Sequence, residues 1–120
     1  MVAETARKYF LGQGVPRLTC AQAVAEALRD SCDLADDFVK AMAGASGGRA
    51  PQGYCGAVYA ALQIAEKIAP NKKSELEEYF QGEAGGVTCR DIRSSRRLGC
   101  ADCVEQAARI VARTPSTCSR

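Results

Sequence analysis

Along this chain apolar residues recur at intervals of three and four, and no stretch alternates convincingly with period two. Ala21, Val24, Ala25, Leu28 and Cys32 form one such series, and Cys55, Val58, Leu62, Ala65 and Ala69 form another. A third series, Cys100, Cys103, Val104, Ala107, Ile110 and Val111, leaves Asp102, Glu105, Arg109 and Arg113 facing away from it. This is the period of amphipathic helices that bury one side. The pattern predicts an all-α chain, a single small helical bundle of four to six helices.

Local signals set the expected boundaries. A first helix fits residues 3–11, ending at Gly12 and Gly14 with Pro16 beyond. TCAQ, from Thr19 to Gln22, reads as a capping box opening a helix that runs to about Cys32. A third helix fits 34–43, and a glycine-rich loop follows over 44–53. The fourth begins near Gly53 or Tyr54 and runs to Ala69, where Pro70 stops it. Ser74 and Glu77 read as a second box, opening SELEEYFQGE. TCRD repeats the first signature, with Thr88 as cap and Asp91 at the third position. The last helix starts at Gly99 or Cys100 and reaches Val111 or Ala112.

A chain of 120 residues is the size of one domain and can bury a core without cross-links. We expect a single domain over 1–120, with its core at about 5–112 and a loose tail at 113–120. The net charge of +2 gives no electrostatic case for nucleic acid or a membrane surface as partner. No apolar run approaches the roughly 20 residues that span a bilayer. MVAETARKYF lacks the apolar core of a secretion signal, so the expected location is cytoplasmic.

Two counts narrow the chemistry. There is no histidine, which removes Cys–His and Ser–His–Asp nucleophile systems and every histidine metal site. There are seven cysteines, an odd number that cannot pair completely within one chain. In a reducing compartment such a set points to redox or metal chemistry rather than structural bridges. Cys20 and Cys89 each follow a threonine cap, and Cys55 and Cys100 each stand beside a glycine at a helix start. The first helical turn has unpaired N–H groups and a partial positive charge, and both favour a thiolate. Each of these four also lies on or beside an apolar stripe, where cysteine can simply pack as a small hydrophobe. Cys103 forms CADC with Cys100, the spacing of many dithiol sites, and is a candidate resolving thiol for it. Cys32 reads as a core residue and Cys118 as incidental to the tail. Arg90, Arg93, Arg96 and Arg97 follow Cys89; they can lower a thiol pKa or hold an anion, or form a solvated basic face. Gly47, Gly48 and Arg49 read as turn chemistry rather than an anion nest.

TCAQAVAEAL, GASGGRAPQGYCGAVYAAL, TCRDI and CADCVEQAARIV together resemble the small redox-active proteins of the C_GCAxxG_C_C family, over about residues 5–112. Carried over by position, the four family cysteines fall on Cys20, Cys55, Cys89 and Cys100. Cys103 takes a place where an ordinary apolar or aromatic residue is expected, and Ala60 replaces the final glycine of the CGAxxG motif. The resemblance implies thiol redox activity but supplies no substrate. The leading expectation is a protein that cycles between dithiol and disulfide, or relays electrons to a redox partner protein, through these cysteines. A second reading is a metal or iron–sulfur module using the same four sulfurs, although only one Cys-x2-Cys pair is present where structural zinc sites usually have two. A third is a structural helical domain that docks on a partner and uses its cysteines for packing or bridges.

Overall fold

In a computed structural model, residues 2–29, 32–45, 50–68 and 70–112 are described. Seven α-helices follow one another among them: α1 (Val2–Leu11), α2 (Cys20–Leu28), α3 (Asp36–Ala41), α4 (Gly56–Ile68), α5 (Lys72–Glu83), α6 (Cys89–Ser95) and α7 (Cys100–Ala112). Short 3-10 turns occupy Met42–Ala45 and Pro51–Gly53. No strand occurs among the described residues; Tyr54 and Thr88 form an isolated antiparallel bridge. The all-α expectation holds, with one more helix than the upper count. The added element is α6: the sequence signals a cap at Thr88, but the helix is only seven residues long, too short to show an apolar period of its own.

The core is built around α4, whose Gly56, Ala57, Val58, Ala60, Ala61, Leu62, Ile64 and Ala65 are buried. A helix apolar on nearly every side belongs at the centre of a bundle. It packs against α2, α7 and α5, while α1 lies across α7 and α2. Ala60 is fully buried at the position of the family glycine, so its methyl is accommodated in the core. Every residue of the α2 series is buried, including Cys32 beyond the helix end. Ala69 and Arg113 of the other two series, the tail with Cys118, and Gly47, Gly48 and Arg49 lie outside the described residues.

Two caps form as the sequence signals. The Thr19 side chain accepts from the Gln22 N–H at 3.3 Å, and Thr88 accepts from the Asp91 N–H at 3.1 Å. Thr19→Ala and Thr88→Ala are each expected to cost about 1 kcal/mol, read as a lower urea midpoint with unchanged slope. The Ser74 box does not form. Here α5 starts at Lys72 behind Asn71, whose backbone is already helical (φ −70°, ψ −15°) and presents no capping side chain. Pro70 ends α4 and leads directly into this turn, with the Lys73 N–H donating to the Pro70 carbonyl at 3.1 Å.

The connection from α5 to α6 approaches α6 closely. At Gly85 (φ +86°) a Cβ would stand 2.5 Å from the Ser95 Cβ, and at Gly86 (φ +157°) 2.6 Å from the Asp91 Cβ. Ser95 closes this contact by donating to the Ala84 carbonyl at 2.6 Å. Three residues along, the Val87 carbonyl accepts from the Cys55 N–H at 2.8 Å. Two glycines thus fix the peptide that positions the entrance of α4.

The polar side of α7 also has a task. Asp102 and Glu105 both accept from Arg7 of α1, at 2.9 and 3.1 Å. Asp102 also accepts from the Gly99 N–H at 3.2 Å, tying down the start of α7. These bonds, first that to Arg7, hold its carboxyl below the usual carboxylate range.

Candidate functional site

The entrances of four helices open on one cleft of about 490 Å³. Its walls carry Cys20 from α2, Cys55 and Gly56 from α4, Cys89 and Arg93 from α6, and Cys100 from α7. Phe10, Arg17, Leu18 and Thr19 complete it. The four cysteines singled out at helix starts therefore come together in space. They differ in depth: Cys100 is exposed, Cys20 and Cys89 are half-buried, and Cys55 is 8% exposed.

Cys55 stands one residue before α4, in the capping position. Its carbonyl accepts from the Tyr59 N–H at 2.8 Å, and the backbone N–H groups of Val58 and Ala57 at the helix entrance favour its thiolate. A thiolate here takes the place that a serine or aspartate oxygen usually fills. The sulfur receives a hydrogen bond from the Cys103 thiol. That bond comes first in lowering the Cys55 pKa from 9.0 to about 6; the two N–H groups and the Arg93 charge help, against the cost of burial. The environment thus favours the thiolate form of Cys55.

Cys103 is 1% exposed, one turn into α7 on its buried side. Its thiol is driven well above the ordinary range, first by donating to Cys55, then by burial and by the negative charge beside it. The CADC spacing suggests Cys100 as its partner, but the hydrogen bond goes to Cys55 instead. At the first position of α7, Cys100 faces the cleft, whereas Cys103, three residues on, points into the core against α4. The contact joins two helices far apart in sequence, and no local spacing announces it.

A helix entrance does not depress every thiol that occupies one. Cys100 is pushed up, first by partial desolvation and then by the Cys55 charge, despite the pull of Arg93. Once one thiolate is present in a shared cleft, a like charge nearby is disfavoured.

The metal reading meets a geometric obstacle. Among the described residues no three cysteine, aspartate or glutamate side chains are grouped closely enough to hold an ion. Four sulfurs line one cleft, but they do not form a coordination shell. A tetrahedral thiolate site needs metal–sulfur distances of about 2.3 Å from all its ligands. Among the described residues, no helix is long and apolar enough to cross a membrane.

A helical bundle that gathers helix-entrance cysteines on one cleft defines a class of thiol-bearing α-protein. The chain belongs to the family described as "Putative redox-active protein (C_GCAxxG_C_C)", whose model matches residues 18–114. No curated protein and no solved structure matches it.

Proposed function

We propose that the protein is a dithiol–disulfide redox carrier in which Cys55 is the attacking thiolate and Cys103 the resolving thiol. The observation that carries this reading is the place of Cys55 at the entrance of α4, on the wall of an open cleft, where the helix N–H groups and the Cys103 thiol lower its pKa. In the first step the Cys55 thiolate attacks one sulfur of a partner disulfide. That S–S bond breaks, a mixed disulfide forms, and the other partner sulfur leaves as a thiolate. With its charge gone, Cys55 no longer holds the Cys103 proton, and the main cause of the raised Cys103 pKa is removed. The Cys103 proton passes to solvent or to the departed thiolate. The Cys103 sulfur then attacks Cys55, closing an intrachain disulfide and releasing the second partner thiolate. Two electrons have moved from the protein dithiol to the disulfide. A dithiol partner reverses the sequence. Cys20, Cys89 and Cys100 line the approach and are the further thiols to which the disulfide can migrate.

The test is a redox titration on anaerobically purified protein, with thiols counted by alkylation and intact mass. Two thiols should leave the free pool together, at a potential in the range of roughly −200 to −270 mV typical of carriers, and peptide mapping should name Cys55 and Cys103. In Cys103→Ser, which keeps a hydrogen-bond donor, the mixed disulfide at Cys55 should accumulate instead of resolving. Accumulation in Cys100→Ser rather than Cys103→Ser would move the resolving role to Cys100. If every thiol alkylates at every potential, the carrier reading is wrong. Protection of four thiols until a chelator is added would favour the metal module.

A further inference from the structure

The residues of the cleft that take no part in the exchange define what it can admit. Its lining contains two arginines, Arg17 and Arg93, and no carboxylate. Among the described residues neither arginine makes an ion pair, whereas Arg7, Arg29 and Arg109 all do. Arg17 is held over the Phe10 ring, 5.7 Å from its centre, which places a cation at the edge of the cleft. Arg93 lies one helical turn beyond Cys89, and both line the cleft from α6. The volume of about 490 Å³ falls in the range of small-molecule sites.

We propose that the cleft takes a low-molecular-weight disulfide bearing an anionic group, whose charge Arg17 and Arg93 hold while Cys55 attacks its near sulfur. The proposal rests on Cys55 being the attacking thiolate, and it names the class of disulfide that this thiolate meets. In the exchange the Cys55–substrate S–S bond replaces the substrate's own S–S bond. The displaced half leaves as an anionic thiolate, and the resolving thiol releases the second half. The two electrons come from the protein dithiol. An anionic substrate approaching a thiolate is repelled by it, so two cations lining the same cleft answer a specific electrostatic need.

The experiment compares stopped-flow oxidation of the reduced protein by three small disulfides: 3,3′-dithiodipropionate (anionic), 2-hydroxyethyl disulfide (neutral) and cystamine (cationic). Each is run on the wild type, Arg17→Gln, Arg93→Gln, the double variant and Arg93→Lys. The ratio of anionic to neutral rate should fall roughly tenfold in the double variant and be largely kept by Arg93→Lys. It should also fall with added salt. Because Arg93 contributes to Cys55 ionisation, the neutral disulfide reports that effect separately and is divided out. An unchanged ratio in the double variant, with all three disulfides still reacting at Cys55, overturns the anionic preference and leaves the carrier reading standing. Failure of Cys55 to react with any of the three overturns both.

Discussion

Alkylation of Cys55 by iodoacetamide is expected to reach half its plateau rate near pH 6, far below the value of 9.0 of an ordinary thiol. The thiolate is the nucleophile, so the rate follows its fraction. At pH 7 one fast thiol should therefore stand out, and Cys55→Ser should remove that phase completely. Cys103→Ala deletes the largest contribution to the shift and should move the midpoint upward, while Cys103→Ser should move it less. The same shift has a stability counterpart whose sign is fixed. A thiol with a lowered folded-state pKa stabilises fully above its unfolded pKa, and that contribution is lost as pH falls through the folded value. Between pH 9 and pH 6 the wild type should lose stability relative to Cys55→Ala. Cys103, raised in the folded state, acts oppositely: above pH 9 it must ionise on unfolding, and stability declines again. A fast thiol that maps to Cys100, or a Cys55 profile centred on an ordinary thiol value, would remove the basis of the exchange mechanism.

Gly85→Ala should cost far more than the single methyl it adds would in open space. The new Cβ meets the Ser95 Cβ at 2.5 Å while the backbone stays at φ +86°, so a steric clash and conformational strain add. The expected cost is about 3 kcal/mol, or roughly 10 °C in Tm. Gly14→Ala is the control. Its φ is +76°, yet a Cβ there meets nothing within 4 Å, so only strain of about 1 kcal/mol remains. Equal costs at the two positions would mean that the close approach to α6 carries no energy. Gly85→Ala should also disturb Cys55, because the peptide that receives the Cys55 N–H lies two residues along the same loop.

The legible parts of this protein are those decided within one or two helical turns. Thr19 and Thr88 cap as the side-chain spacing requires, and the apolar series of α2 and α4 are buried in the core wherever described. The four helix-entrance cysteines are identifiable because a cap and a thiol adjacent in sequence stay adjacent in space. Ser74 misleads because its box pattern lies inside a helix that the Pro70 turn has already started. Convergence of the four entrances on one cleft depends on how helices pack, and the apolar stripes suggest it without fixing it. The contact of Cys55 with Cys103 depends on the packing of α4 against α7, and in sequence Cys103 looks like the companion of Cys100. The role of Gly85 and Gly86 is hidden for the same reason: a glycine-rich loop looks alike whether it hangs in solvent or is pressed against a helix.

The Val87 carbonyl that receives the Cys55 N–H is one residue from the cap of α6 and two from Cys89, and Tyr54 bridges to Thr88 beside it. The entrances of α4 and α6 therefore share one support. A displacement of the Val87 peptide would thus be felt at both entrances, at Cys55 through its N–H and at Cys89 through the adjoining Thr88 cap.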